Sequence, residues 1–114
     1  MVTQEFQLIV LQPQGRLDLQ TCKTLEKQLD SLVPQPHNLW VIDLAQIDFM
    51  DSYGLVALIK GLKAARKIDC RLVLCNVQAS VRLVFELTQL DSVFEIFESY
   101  DAVLTTVNSP VLVA

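Results

Sequence analysis

A chain of 114 residues with 52% apolar and 19% charged side chains has room for one ordinary domain with a compact core, and its composition excludes a disordered or collagen-like polymer. Nine Lys and Arg against 13 Asp and Glu give a net charge of −4, the wrong sign for neutralising phosphate backbones or anionic lipid, so nucleic acid is not an expected partner. Mean hydropathy is +0.39, but the longest apolar runs, Leu39 to Ile42 and Leu55 to Ile59, fall far short of the ~20 residues that span a bilayer, so no membrane insertion is expected. Cys22, Cys70 and Cys75 are odd in number and form no CxxC pair; they read as small buried apolar residues rather than disulfide or zinc ligands. With no basic leader followed by an apolar run, the expected location is the cytoplasm.

Taken in chain order, Phe6, Leu8 and Val10 alternate with Glu5 and Gln7, which predicts a strand over Glu5 to Leu11. Pro13-Gln14-Gly15 turns it, and Arg16 to Asp18 is expected to return as a short antiparallel strand. Cys22, Leu25, Leu29 and Leu32 recur at helical spacing up to Pro34. Leu39 to Leu44 is an almost unbroken apolar run of strand length, as a strand covered on both faces requires. A second helix is predicted from Ser52 to Lys67, with Leu55, Leu58, Ile59 and Leu62 inward and Lys60, Lys63 and Lys67 on another face. Arg71 to Cys75 is a second buried strand, and the helix before it makes the two central strands parallel neighbours in a βαβ unit. A helix over Ala79 to Thr88, a strand over Val93 to Phe97 and a short helix over Tyr100 to Val107 complete the order ββαβαβαβα. The expected fold class is α/β: a single domain over 1–114 with a mixed sheet of four to five strands and helices packed mainly on one face.

In open α/β sheets, ligands and partners gather outside the carboxyl ends of the parallel strands, which here means Asp43 to Gly54. Asp51 and Ser52 fall where the loop enters the second helix, as an N-cap pair would. A hydroxyl there stands beside unpaired amides and the positive end of the helix dipole, so a phosphate on Ser52 is electrostatically tolerated.

Asp48-Phe49-Met50-Asp51-Ser52-Tyr53-Gly54-Leu55 closely resembles the Asp-Ser-Ser/Thr-Gly-Leu signature of STAS domains, the anti-sigma factor antagonist family. Gly15-Arg16-Leu17-Asp18 is similar to that family's Gly-x-Leu-Asp strand, and Leu87 to Phe97 to its closing Leu-x-x-Leu-x-x-x-Phe-x-Ile stretch. Tyr53 departs from the pattern, standing where the family usually has Ser or Thr. The resemblance implies a phosphorylation-switched binding module without catalysis of its own and without a cofactor. Ser52 would be phosphorylated by a partner that is both serine kinase and anti-sigma factor, and a serine phosphatase would reverse it. Asp18, Asp48, Asp51, Ser52, Tyr53, Gly54 and Leu55 would form the partner-binding surface. A second branch of the same resemblance implies a non-catalytic subunit of a larger assembly such as a lipid-transport complex.

Two other chemistries compete. A hydrolase would need a base for Ser52, but the single histidine, His37, precedes the central strand and is expected at the opposite end of the sheet, while Met50 takes the first glycine's place in a Gly-x-Ser-x-Gly elbow. Asp43, Asp48 and Asp51 could instead build a cation site or a phosphoaspartate pocket, although the first strand supplies no acidic pair to complete it.

Overall fold

The computed structural model describes residues 8–31 and 39–108. Its elements are β1 (Leu8–Leu11), β2 (Gly15–Leu17), α1 (Leu19–Ser31), β3 (Leu39–Asp43), β4 (Ile47–Met50), α2 (Ser52–Lys67), β5 (Arg71–Cys75), α3 (Ala79–Leu87), β6 (Glu95–Phe97) and α4 (Tyr100–Asn108). The expected strand residues Glu5 to Gln7, the connection carrying His37, and the apolar tail Val111 to Val113 lie outside the described residues.

β3 and β5 form the centre, as their apolar runs require: every residue of β3 and four of the five in β5 are buried. They pair in parallel with Val41 opposite Val73, and the helix between them closes the expected βαβ unit. β1 flanks β3 and β6 flanks β5, both in parallel, giving the order β1-β3-β5-β6. The larger core lies on one face of this sheet, where Leu25 of α1, Leu58 and Leu62 of α2 and Phe85 of α3 meet Trp40, Ile42 and Leu74. Val103 of α4 packs with Leu39, Val41, Val73 and Cys75 on the other face, so the helices are mainly on one side. The three cysteines are buried and not joined in disulfides, and burial pushes each thiol up to about 11, which keeps them protonated at neutral pH.

The strand at Arg16 does not return antiparallel along β1. With Gly15 at φ 85°, a conformation that glycine adopts without a Cβ penalty, the chain leaves the main sheet, and β2 pairs in parallel with β4 instead. All pairings among the described residues are therefore parallel, where a mixed sheet was expected. β4 falls inside the stretch expected to be a loop, making the observed order ββαββαβαβα. Its periodicity concealed it: Ile47 and Met50 are buried while Asp48 and Phe49 are exposed, a pattern that is not an alternation.

The β2–β4 ribbon lies directly under the first turn of α2. Asp51 N–H donates to the Leu17 carbonyl at 3.3 Å. A Cβ at Gly54 would overlap that same carbonyl and come within 2.8 Å of Met50 Cγ. Backbone cannot yield as a flexible side chain would, so Gly54→Ala should lower stability by about 1–3 kcal/mol. A reduced denaturant midpoint with an unchanged m-value checks this.

Candidate functional site

The start of α2 is built by its cap. Asp51 is extended (φ −104°, ψ −171°), and its Oδ1 accepts hydrogen bonds from Tyr53 N–H at 2.9 Å and Gly54 N–H at 3.2 Å. Its carbonyl accepts the first intrahelical bond, from Leu55 N–H at 3.1 Å. Asp51 alone is thus the N-cap, and Ser52 is the first helical residue, with its side chain exposed to solvent. Two of the first-turn amides that could have received an anion on Ser52 are already occupied by the Asp51 carboxylate.

Asp18 does the same for α1. Its Oδ1 accepts from Thr21 N–H at 3.2 Å and its carbonyl from Cys22 N–H at 2.9 Å. The Thr21 amide, ahead of the opposing effect of desolvation, holds the Asp18 carboxyl below its ordinary value. Two helix starts, each capped by an aspartate, therefore open onto one shallow groove of about 470 Å³, lined by Asp18, Leu19, Gln20, Lys23, Asp51 and Tyr53.

Of the seven residues expected at the binding surface, this groove brings together Asp18, Asp51 and Tyr53, with Ser52 exposed between the last two in sequence. Gly54 is buried against β2, and Leu55 is half-buried against the main core. Asp48 is exposed on β4, and its carbonyl accepts from Ser80 Oγ at 2.9 Å. Sequence reasoning passed over Leu19 and Lys23, which reach the groove only because α1 starts beside α2. It also gave no role to Phe49, exposed on β4 with the Arg16 guanidinium carbon 4.3 Å from its ring centroid. That pair becomes visible only through the register of β2 against β4, which puts Arg16 opposite Phe49.

Asp43 is not part of a cation site. Only 5% exposed, it accepts from Gln12 Nε2 at 2.8 Å, Ala45 N–H at 3.0 Å and Asn76 Nδ2 at 3.1 Å. These donors consume the oxygens a metal would need, and among the described residues no group of three or more His, Cys, Asp and Glu could hold an ion. The expected alternative built on Asp43, Asp48 and Asp51 is overturned, because the first is a buried structural carboxylate while Asp48 points to solvent from β4 and Asp51 caps α2.

Burial pushes the Asp43 carboxyl up, but the three hydrogen bonds from Gln12, Ala45 and Asn76 outweigh it and hold it below its ordinary value. Stability from this group is full above the unfolded carboxylate range and is lost as pH falls through the lowered folded value. Asp43→Asn, which keeps an acceptor for Ala45 and Asn76 on one oxygen but sets an amide NH2 against Gln12 Nε2, should cost about 1–3 kcal/mol near neutral pH. The gap from the parent should narrow as pH drops below about 4, where the parent also loses the charge. Urea midpoints measured along a pH series check both statements.

The family model of the STAS domain matches residues 1–103. BtrV of Bordetella bronchiseptica, provisionally named an anti-sigma factor antagonist, is 32% identical over 89 residues, covering 78% of this chain and 77% of its own. The anti-sigma factor antagonist SpoIIAA in its unphosphorylated form superimposes with a TM-score of 0.74 at 20% identity, covering 98% of this chain and 96% of that one. A sulfate transporter family protein of Wolinella succinogenes superimposes with a TM-score of 0.78 at 16% identity, covering 87% and 83%. On the family match, the named relative and the parallel α/β architecture together, the chain belongs to the STAS domain family, in its anti-sigma factor antagonist-like form.

Proposed function

We propose that the chain is a protein-binding regulator switched by phosphorylation of Ser52. In its unmodified form it would bind a serine kinase of the anti-sigma type, and a serine phosphatase would restore that form after modification. The observation that carries this reading is the division of labour at the start of α2: Asp51 satisfies the helix amides, which leaves the Ser52 hydroxyl exposed with no structural duty. A phosphate there adds about −1.5 to −2 charge next to Asp51, whose carboxylate already holds the favourable amide positions. The added charge is therefore presented outward to whatever docks on the groove, where repulsion and desolvation disfavour the complex. The module works in the cytoplasm and is not itself a catalyst; none of its described helices is long and apolar enough to cross a membrane.

The likeness to a sulfate transporter family protein supports a second reading, a non-catalytic STAS subunit of a larger assembly such as a lipid-transport complex. In that case binding would be constitutive and indifferent to Ser52.

Incubation with ATP and an extract of the native cell should add one phosphate, mapped by mass spectrometry to Ser52. Label on Tyr53 or Thr88 instead defeats the assignment. Ser52→Ala should stay within about 0.5 kcal/mol of the parent in stability, whereas Asp51→Ala should cost about 0.5–2 kcal/mol. Ser52→Ala should also still capture the partner recovered by the parent, while Ser52→Asp captures less; equal capture by all three favours the constitutive reading.

A further inference from the structure

Helix α2 carries two seams. Gly54, Ala57, Leu58, Gly61, Leu62 and Ala65 face inward and are buried. On the solvent side Tyr53, Val56, Lys60, Lys63 and Lys67 follow one another at alternating steps of three and four, the 3.5-residue period that keeps side chains in one straight stripe. All five are exposed, Tyr53 by 56%. The stripe is apolar at its first turn and cationic beyond, and α2 contains no acidic residue.

Helix α3 presents the complementary pattern. Leu83 and Leu87, 53% and 75% exposed, stand one turn apart with Glu86 beside them, and exposed Asp91 lies just past the helix end. From Glu86 through Asp101 the chain has five acidic residues and no basic one. Among the described residues the single ion pair is Arg71 with Glu95, so neither Glu86 nor Asp91 neutralises the α2 lysines within one chain. Both helices sit on the same face of the sheet, where Leu58 and Leu62 share one core with Val81 and Phe85.

We infer that this face is the interface of a symmetric homodimer, in which the stripe of α2 in one protomer packs against Leu83, Glu86 and Leu87 in the other. Because the basic and acidic patches occupy one face, a single two-fold axis matches both pairs at once and closes the assembly. A second copy of the chain supplies both complements that the stripe demands, apolar side chains for Tyr53 and Val56 and carboxylates for the lysines.

Sedimentation velocity over a concentration series tests this at about 0.1 M salt, where the Debye length is about 10 Å. The parent should pass from monomer to dimer. Lys63→Glu and Glu86→Lys each place like charges in both halves of the interface, and each alone should weaken association about tenfold or more. Mixed in equal amounts they should dimerise again, because each half then pairs Glu with Lys. Leu87→Asp, at an exposed position that leaves the core intact, should also be monomeric, with an unchanged circular dichroism spectrum. A parent that stays monomeric, variants that associate as the parent does, a mixture that recovers nothing, or growth beyond the dimer would each overturn the inference.

Discussion

The close approach of Gly54, at the first turn of α2, to the Leu17 carbonyl at the end of β2 leaves no room for a Cβ and sets the position of the helix start at the candidate site. A side chain at residue 54 would drive the helix away from the ribbon. The Asp51 N–H bond to the Leu17 carbonyl would then open, and with it the geometry in which the Asp51 carboxylate reaches two amides at once. Leu17 is itself fully buried, so the ribbon is anchored to the core and transmits that anchorage to the helix start. A rigid site follows from backbone packing rather than from a network of strong side-chain bonds.

A second constraint comes from Asp43. Its carboxylate gathers donors that follow β1 and β5, the strands on either side of β3, and so ties three parallel strand ends together. The loop after β5 adds Gln78 Nε2 donating to the Ala45 carbonyl at 2.8 Å, and α3 adds the Ser80 bond to β4. β4 is thus held from one side by β2 and from the other by α3. The carboxyl end of the sheet, where such folds carry their binding surfaces, is braced by these polar contacts, and at the opposite end the Arg71–Glu95 ion pair joins the starts of β5 and β6.

Much of this was legible in the residue pattern. The continuous apolar runs of β3 and β5 declared fully covered parallel strands, and the 3.6-residue spacing from Leu55 to Leu62 declared the inward face of α2. Ser52 and Asp51 could be placed at the helix start from the order of residue types alone. The local signals failed where partners are distant in sequence. Nothing near Gly15 says that β2 will abandon β1 for β4, and nothing near Asp43 says that a buried acid will find Gln12 and Asn76. Only the assembled sheet shows whether an aspartate at a strand end is a ligand donor or a structural carboxylate. The groove residues Leu19 and Lys23 were hidden for the same reason, since their neighbours belong to α2.

The β2–β4 ribbon has a kinetic meaning as well. Its paired residues, beginning with Gly15 against Ile47, are separated by some thirty positions that include a helix and a central strand, so a long loop must close before it forms. Parallel pairing of this kind is a non-local, slow event compared with the turning of a helix. The ribbon is also short, three residues against four, and so has few interactions of its own to hold it once formed. The surface around Ser52 therefore depends on non-local pairing, a requirement it shares with the β3–β5 centre, whose partners are equally far apart in sequence.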